Sequence, residues 1–426
     1  MVKFCPDHAD HDAHSLGVPV LDELLEVFAP KTSVSSFPID GQYQDRRASD
    51  QDQLREYQAA ADEEMLINSE VQDVDVHGSN DNDISPAVNA LFSDPEGTKR
   101  LPTPIMEVSS SLSSSGKSQL LYYLTALAIL PRKCGDIAIG GHESAVIFID
   151  TDDRFDVERL RVVARGIVKQ RGRLNPNVGE HPARLSDQDI ESLLISSLQH
   201  VHVLRPQSSS ALLATLHSLE SYLFDLSRHR SALRPLQMIG IDSVTAFIWQ
   251  DRLRDEVART EEIGRPREDV DLEHEQKQRF YLSDLYAELA KELKRLQSHF
   301  QCAIVYTSTV SGGRGAGLGL YNQSQTRTPS LRPALPAPWG TLPTLRLIVH
   351  RSTVRPFPPS MTPQAAVKDS PSRQSVVRQG KISAWVNAWG RDEWPRRIVE
   401  AIDASNGGSF SFYVHESGVE ISDPDD

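Results

Sequence analysis

The chain has 426 residues, 39% of them hydrophobic and 24% charged, with a formal charge of -14. That length fits one large α/β domain with insertions or two domains, and the acidic balance excludes a protein that grips nucleic acid by overall charge, though not one with a local basic patch. Three widely spaced cysteines, Cys5, Cys134 and Cys302, exclude a disulfide framework, and with no signal peptide and no membrane-spanning apolar run the chain reads as soluble and intracellular.

At the N-terminus Cys5, His8, His11 and His14 recur regularly, but no second cluster comes later to close a four-ligand zinc site, so the stretch reads as a polar terminus. Within segment 1–30, Leu21, Leu24, Leu25 and Phe28 share one helix face and predict a short docking helix. Residues 31–99 are rich in Asp, Glu, Gln, Ser and Asn and poor in aromatics. Such a segment cannot bury enough apolar surface to offset its ordering entropy, and it reads as largely disordered apart from a helical pattern near 53–67.

Order resumes near Leu101 and runs to Ile421. An extended run ends near Val108, a loop of small residues comes next, and a helical run covers 119–130. Residues 144–150 (Ser-Ala-Val-Ile-Phe-Ile-Asp) form a continuous apolar run, as a strand buried on both faces should. After it lie a helix through Leu160 and Val163, a strand at 200–204, and a helix marked by Leu212, Leu216, Leu219 and Leu223. A strand at 237–242, a helix with Leu285, Leu289, Leu293, Leu296 and Phe300, and a strand at 303–307 continue the series. Strands alternating with helices imply right-handed βαβ crossovers, hence an α/β fold with a mainly parallel central sheet.

Three stretches interrupt this alternation and read as disordered insertions: the charged 252–279, the Gly-rich then Pro/Ser/Thr-rich 311–338, and the low-complexity 356–380. Residues 345–349 read as a strand between the last two. The chain closes with runs at 382–389, 410–414 and 419–421, read as a C-terminal β-hairpin with a Glu416-Ser417-Gly418 turn, and an acidic tail at 422–426. Trp385, Trp389 and Trp394 read as core or interface packing.

The chemistry concentrates on Ser111-Leu112-Ser113-Ser114-Ser115-Gly116-Lys117-Ser118, between a strand and a helix N-terminus. Such a loop cradles phosphates, because its backbone N–H groups point inward and the helix dipole favours negative charge. The phosphate-loop pattern is met at Gly116, Lys117 and Ser118, with Ser111 in place of the first glycine. Lys117 would reach the β- and γ-phosphates of ATP, Ser118 would hold Mg²⁺, and Ser115 and Gln119 flank them. Met-Ile-Gly-Ile-Asp at 238–242 is an apolar strand ending in a carboxylate, which places Asp242 beside the Mg²⁺. Hydrolysis also needs a group that orients water, and Asp152 is the candidate.

The order of segments resembles the RecA-type recombinase core, and more narrowly the eukaryotic recombinase paralogues. The resemblance is carried by Gly116 to Leu124, by Phe148-Ile149-Asp150-Thr151-Asp152 with Phe155 and Arg159, by Ser208-Ser209-Ser210, by Ile241-Asp242-Ser243 with Trp249 and Asp251, and by the closing Glu-Ser-Gly turn. It implies a RecA-like P-loop core and a nuclear role in homologous recombination repair of double-strand breaks. The partners it implies are other paralogues in a hetero-oligomeric complex, with single-stranded or branched DNA engaged through that complex. It also implies departures. Asp152 stands where active recombinases carry a glutamate, and Ser308 and Thr309 stand where they carry an Asn-Gln pair. Loop 252–279 is net acidic, and loop 311–319 offers Arg314 as its DNA-proximal candidate.

Three functions compete: a mediator subunit with a degenerate ATP site, a working DNA-dependent ATPase, and a P-loop ATPase outside recombination. Ser111, Asp152 and Thr309 favour the first. Because 45–89 is polar and poor in core-forming residues, its deletion should leave the thermal midpoint of the protein unchanged. A large drop measured by calorimetry would show that the segment packs.

Overall fold

Strand β1 (Ile105–Ser110) is buried at every position because it has a parallel neighbour on each side and helices over both faces. The computed structural model describes residues 15–29, 103–135, 137–174, 185–263, 281–310, 330–352 and 357–422, together with the single residues 266 and 354. The Cys/His terminus, the acidic segment 31–99 and Arg314 lie outside the described residues.

The chain first forms α1 (Pro19–Phe28), then β1, α2 (Lys117–Ile129), a small hairpin of β2 (Lys133–Cys134) and β3 (Ile137–Ala138), and β4 (Ala145–Asp150). Then come α3 (Val157–Leu174), α4 (Asp187–Leu198), β5 (Val201–Leu204), α5 (Ser209–Phe224), β6 (Leu236–Asp242), α6 (Ile248–Glu262), α7 (Leu282–Phe300) and β7 (Ala303–Thr309). The remainder is β8 (Leu345–Arg351), α8 (Pro363–Gln379), β9 (Lys381–Val386), α9 (Arg396–Ala404), β10 (Phe410–His415) and β11 (Gly418–Ile421).

The main sheet runs β11-β10-β9-β8-β1-β7-β6-β4-β5. From β8 to β5 every pairing is parallel, whereas β9, β10 and β11 join antiparallel. Alternate strand residues serve opposite faces. Met106, Val108, Val146, Phe148 and Val305 join α1, α2, α3 and α4 in one core. Ile105, Ile147, Ile149, Ile241, Ile304 and Tyr306 meet α5 and α7 in the other. This is the α/β architecture expected from the alternating segments, with the closing hairpin extended into a meander by β9.

Helix α1 docks on its own chain. Leu21, Leu24 and Leu25 are buried, Phe28 meets Trp394 edge-on at 5.3 Å, and Arg397 donates to the Ala29 carbonyl at 3.0 Å. Trp389 lies beneath the Arg332 guanidinium, partly exposed.

Two stretches read as disordered insertions carry helix in the structure. Residues 252–262 belong to α6, and α8 occupies most of 356–380. Low apolar content hid α8, but its caps are orthodox: Thr362 accepts from the Ala365 N–H, Pro363 opens the helix, and Gly380 closes it with φ +59°. The segment after 329 also contributes to the core, through Leu335, Trp339 and Leu342. Helix α4 escaped the periodicity reading although Ser186 and Asp189 form a capping box.

At the edge strand β5 lies a polar cluster. His202 contacts Tyr222 Oη at 2.9 Å and Ser231 Oγ at 2.8 Å, and His200 contacts the same Ser231 at 3.0 Å. Burial lowers the His200 and His202 imidazoles to about 4. Folded, both stay neutral where the unfolded chain takes up protons near pH ~6.5. Their stabilising contribution is therefore complete above that pH and disappears as pH falls through about 4. The thermal midpoint should drop over this window, and His202→Gln should flatten the drop. An unchanged profile in that variant would refute the assignment.

Candidate nucleotide site

The loop between β1 and α2 is shaped by its own small residues. Ser110 and Ser115 both donate to the Leu112 carbonyl, at 2.6 and 2.9 Å. Ser114 takes a left-handed backbone with φ +62°, and Gly116 comes two residues later at φ +95° as the N-cap of α2. A Cβ at Gly116 would run into Ile382 Cδ1 and close on Phe412, so β9 and β10 press directly on the loop. No side chain caps α2 and no acidic residue occupies its first turn, which leaves the helix N-terminus fit for an anion.

Lys117 is buried, and its ammonium donates to Ser110 Oγ at 2.6 Å and reaches the Leu112 carbonyl at 3.5 Å. Burial lowers its pKa, while the charges of Asp242 and Asp152 pull it back up. Lys117 therefore shares one field with both carboxylates, across the ends of parallel strands.

Asp242 closes β6, in register with Asp150 at the end of β4. Thr307 Oγ1 donates to Asp242 Oδ1 at 2.6 Å and fixes one oxygen. The Asp242–Ser243 peptide is cis, and Thr151 bonds to it on both sides: its N–H to the Asp242 carbonyl at 3.0 Å, and its Oγ1 to the Ser243 N–H at 2.6 Å. Asp150 is buried and accepts from the Arg154 and Phe155 N–H groups at 3.0 and 2.9 Å, with Arg205 Nε at 3.2 Å. Asp150 thus folds the turn that presents Asp152. The Asp152 carboxyl stands above its ordinary range, through partial desolvation first and then through the charge of Asp242.

Of the sequence-selected residues, Gly116, Lys117, Asp152 and Asp242 converge, with Ser118 half-buried beside Lys117 and Ser111 exposed on the loop. Gln119 serves another contact. Its Oε1 accepts from Arg159 Nε at 2.7 Å, and Arg159 continues to the Gly418 carbonyl at 3.2 Å, tying α2 to the closing hairpin. Ser308 also faces elsewhere: its Oγ donates to Glu107 Oε1 at 2.6 Å inside the sheet. Thr309 N–H bonds Thr245 Oγ1 at 3.0 Å.

Sequence reasoning passed over Glu107, Ser110 and the supporting role of Asp150. Glu107 was detectable, since a carboxylate within Ile-Met-Glu-Val-Ser needs buried partners. It finds Ser308 and, at 3.2 Å, Arg346. Burial raises its pKa against the pull of both.

A loop-and-helix phosphate cradle after a central strand, with a carboxylate at the end of a nearby parallel strand, defines a RecA-like core. No family model matches the chain. Over 140 residues it is 36% identical to the DNA repair protein XRCC2 of mouse, covering 33% of this chain and 39% of that protein. It is 22% identical over 285 residues to the XRCC2 homolog of Arabidopsis thaliana, covering 58% of this chain and 69% of that protein. To the DNA repair and recombination protein RadA of Methanoculleus marisnigri it is 29% identical over 133 residues, covering 31% of this chain and 33% of that protein. The matched region thus spans well under half of the mouse and archaeal proteins. Over these stretches the chain is similar to XRCC2-type DNA repair proteins and to RadA, on a RecA-like fold.

Gly116→Ala should cost about 1–2 kcal/mol for the left-handed backbone, plus the displacement of Ile382. Gly390→Ala, also left-handed but facing open space, should cost less. Urea unfolding of the two variants reads the difference, and equal losses would show that β9 does not bear on the loop.

Proposed function

We propose that this chain is a mediator subunit of homologous recombination repair of DNA double-strand breaks, built on a degenerate ATP site. The observation that carries the reading is the convergence of Lys117, Asp152 and Asp242 on the uncapped N-terminus of α2, while Ser308 is spent on Glu107. The donors fit a nucleoside triphosphate with Mg²⁺. The N–H groups of the first turn of α2 and the Lys117 ammonium would hold its phosphates, and Ser118 and Asp242 would hold the cation. Bound there, ATP·Mg²⁺ supplies an activated γ-phosphoryl group. Asp152 is the carboxylate at the mouth of the site able to orient a water. Its short side chain limits how far it reaches toward such a water.

The partners under this reading are other recombinase paralogues in a hetero-oligomeric complex, acting on single-stranded or branched DNA in the nucleus. Among the described residues, no helix is long and apolar enough to cross a membrane.

Lys117→Ala should weaken ATP binding at least ~10-fold, the loss of about 1.4 kcal/mol or more from a charge-assisted contact, and leave paralogue capture and cell survival after DNA breakage largely intact. Isothermal titration, co-purification and a survival assay check the three parts. Turnover on the order of one per second stimulated by single-stranded DNA and abolished by Lys117→Ala would replace this reading with an active DNA-dependent ATPase.

A further inference from the structure

A cavity of about 260 Å³ opens between the C-terminal ends of α5 and α7. Its lining includes Ala145 and Leu236, the first residues of β4 and β6. Those strands run parallel and end in register at Asp150 and Asp242. The cavity therefore lies at the other end of the sheet, roughly 20 Å from the nucleotide site. Most of its wall is apolar. Phe224, half-exposed, and Phe300 stand 6.1 Å apart, and His299 meets Phe300 edge-on at 4.8 Å. Leu223 and Pro235 complete this side.

The polar side is held still by its own bonds. His229 Nδ1 accepts from the Ser231 N–H at 3.2 Å, and its Nε2 donates to the Leu223 carbonyl at 3.0 Å. Ser231 Oγ is engaged by His200 and His202. Arg234 is different. Its guanidinium is mostly buried, and desolvation pulls its pKa down against the opposing charge of Glu143. Nη1 donates to the Ile129 carbonyl at 3.1 Å, but Glu143 stays 3.9 Å from Nη2 and is itself exposed. Among the described residues, Arg234 Nε makes no hydrogen bond and no carboxylate lines the cavity. A desolvated cation with unused donors is under-stabilised, and an anion entering the cavity would complete its set.

We propose that this cavity is a binding site for a small molecule made of one aromatic ring and a carboxylate. The carboxylate accepts from Arg234, and the ring lies against Phe224 and Phe300. An apolar cavity of about 150 Å³ already admits benzene, so the larger space here has room for a ring with its acid group. A neutral ring would leave the cation unpaired, and a bare anion would leave the aromatic wall uncovered. The cavity shares no residue with the phosphate loop, so its occupancy and the recombination role stand or fall separately.

The probe is benzoate, added to the full chain and followed by saturation-transfer NMR and by the thermal midpoint. Benzoate should bind saturably with a Kd on the order of 1 mM or tighter, benzamide at least ~10-fold more weakly, and acetate not at all up to ~10 mM. Arg234→Gln should weaken benzoate at least ~10-fold and bring it level with benzamide. Phe224→Ala should weaken benzoate and benzamide by the same factor, about three-fold or more. Because Arg234 also bonds Ile129, its variant is read at an unchanged thermal midpoint, and Phe224→Ala, at a half-exposed position, decides if that midpoint falls. Arg396→Gln, at an exposed arginine of α9 paired with Glu400, should leave benzoate binding unchanged. Non-saturable benzoate binding, benzamide binding as tightly as benzoate, or unchanged benzoate affinity in folded Arg234→Gln or in Phe224→Ala would each overturn the proposal.

Discussion

A carboxylate in the middle of a sheet holds this molecule in register. Glu107 cannot stay charged inside the protein without partners, and it draws one from each neighbouring strand: Ser308 of β7 and Arg346 of β8. The clamp joins segments some two hundred residues apart in sequence and fixes β1 between them. The phosphate loop leaves directly from the end of β1, so its position depends on a buried ionic contact a few residues upstream. The same contact removes Ser308 from the nucleotide site. One interaction therefore steadies the strand from which the loop departs and occupies the Ser308 hydroxyl.

The site is built by layers of support. Thr307 fixes an oxygen of Asp242, Thr151 secures the backbone after it, and Asp150 shapes the turn carrying Asp152. Lys117 rests on Ser110 and a carbonyl of its own loop, with its two acids acting on it through the field rather than by contact. Behind it, Ile382 and Phe412 crowd the position of Gly116. The loop, Lys117 and the two carboxylates are therefore held in place by contacts from four strands.

Much of this was legible in the sequence for a physical reason. Buried parallel strands must be apolar throughout, so 144–150 and 237–242 stood out, and the Gly-Lys-Ser at 116–118 marked the turn into α2. Helix α8 was hidden because end-capping by Thr362, rather than a buried apolar stripe, marks its limits, whereas α4 did offer Ile190, Leu194 and Leu198 at helical spacing. Gln119, selected for its place directly after the motif, accepts from Arg159 on the side of the hairpin, a contact spacing alone does not reveal. The roles of Glu107 and Asp150 depend on partners from distant strands, which linear spacing does not reveal.

The seating of α1 has a consequence for biosynthesis. Leu24 packs where Gly408 leaves room, beside Val386. Helix α1 thus waits for Val386 and Gly408 to be synthesised before its resting place is complete. At typical elongation rates of about 5–20 residues per second that wait is roughly 20–80 seconds, with Leu21, Leu24 and Leu25 uncovered. During that interval the apolar face of α1 lacks these partners, which makes it a natural target for chaperones until β9 and Gly408 emerge.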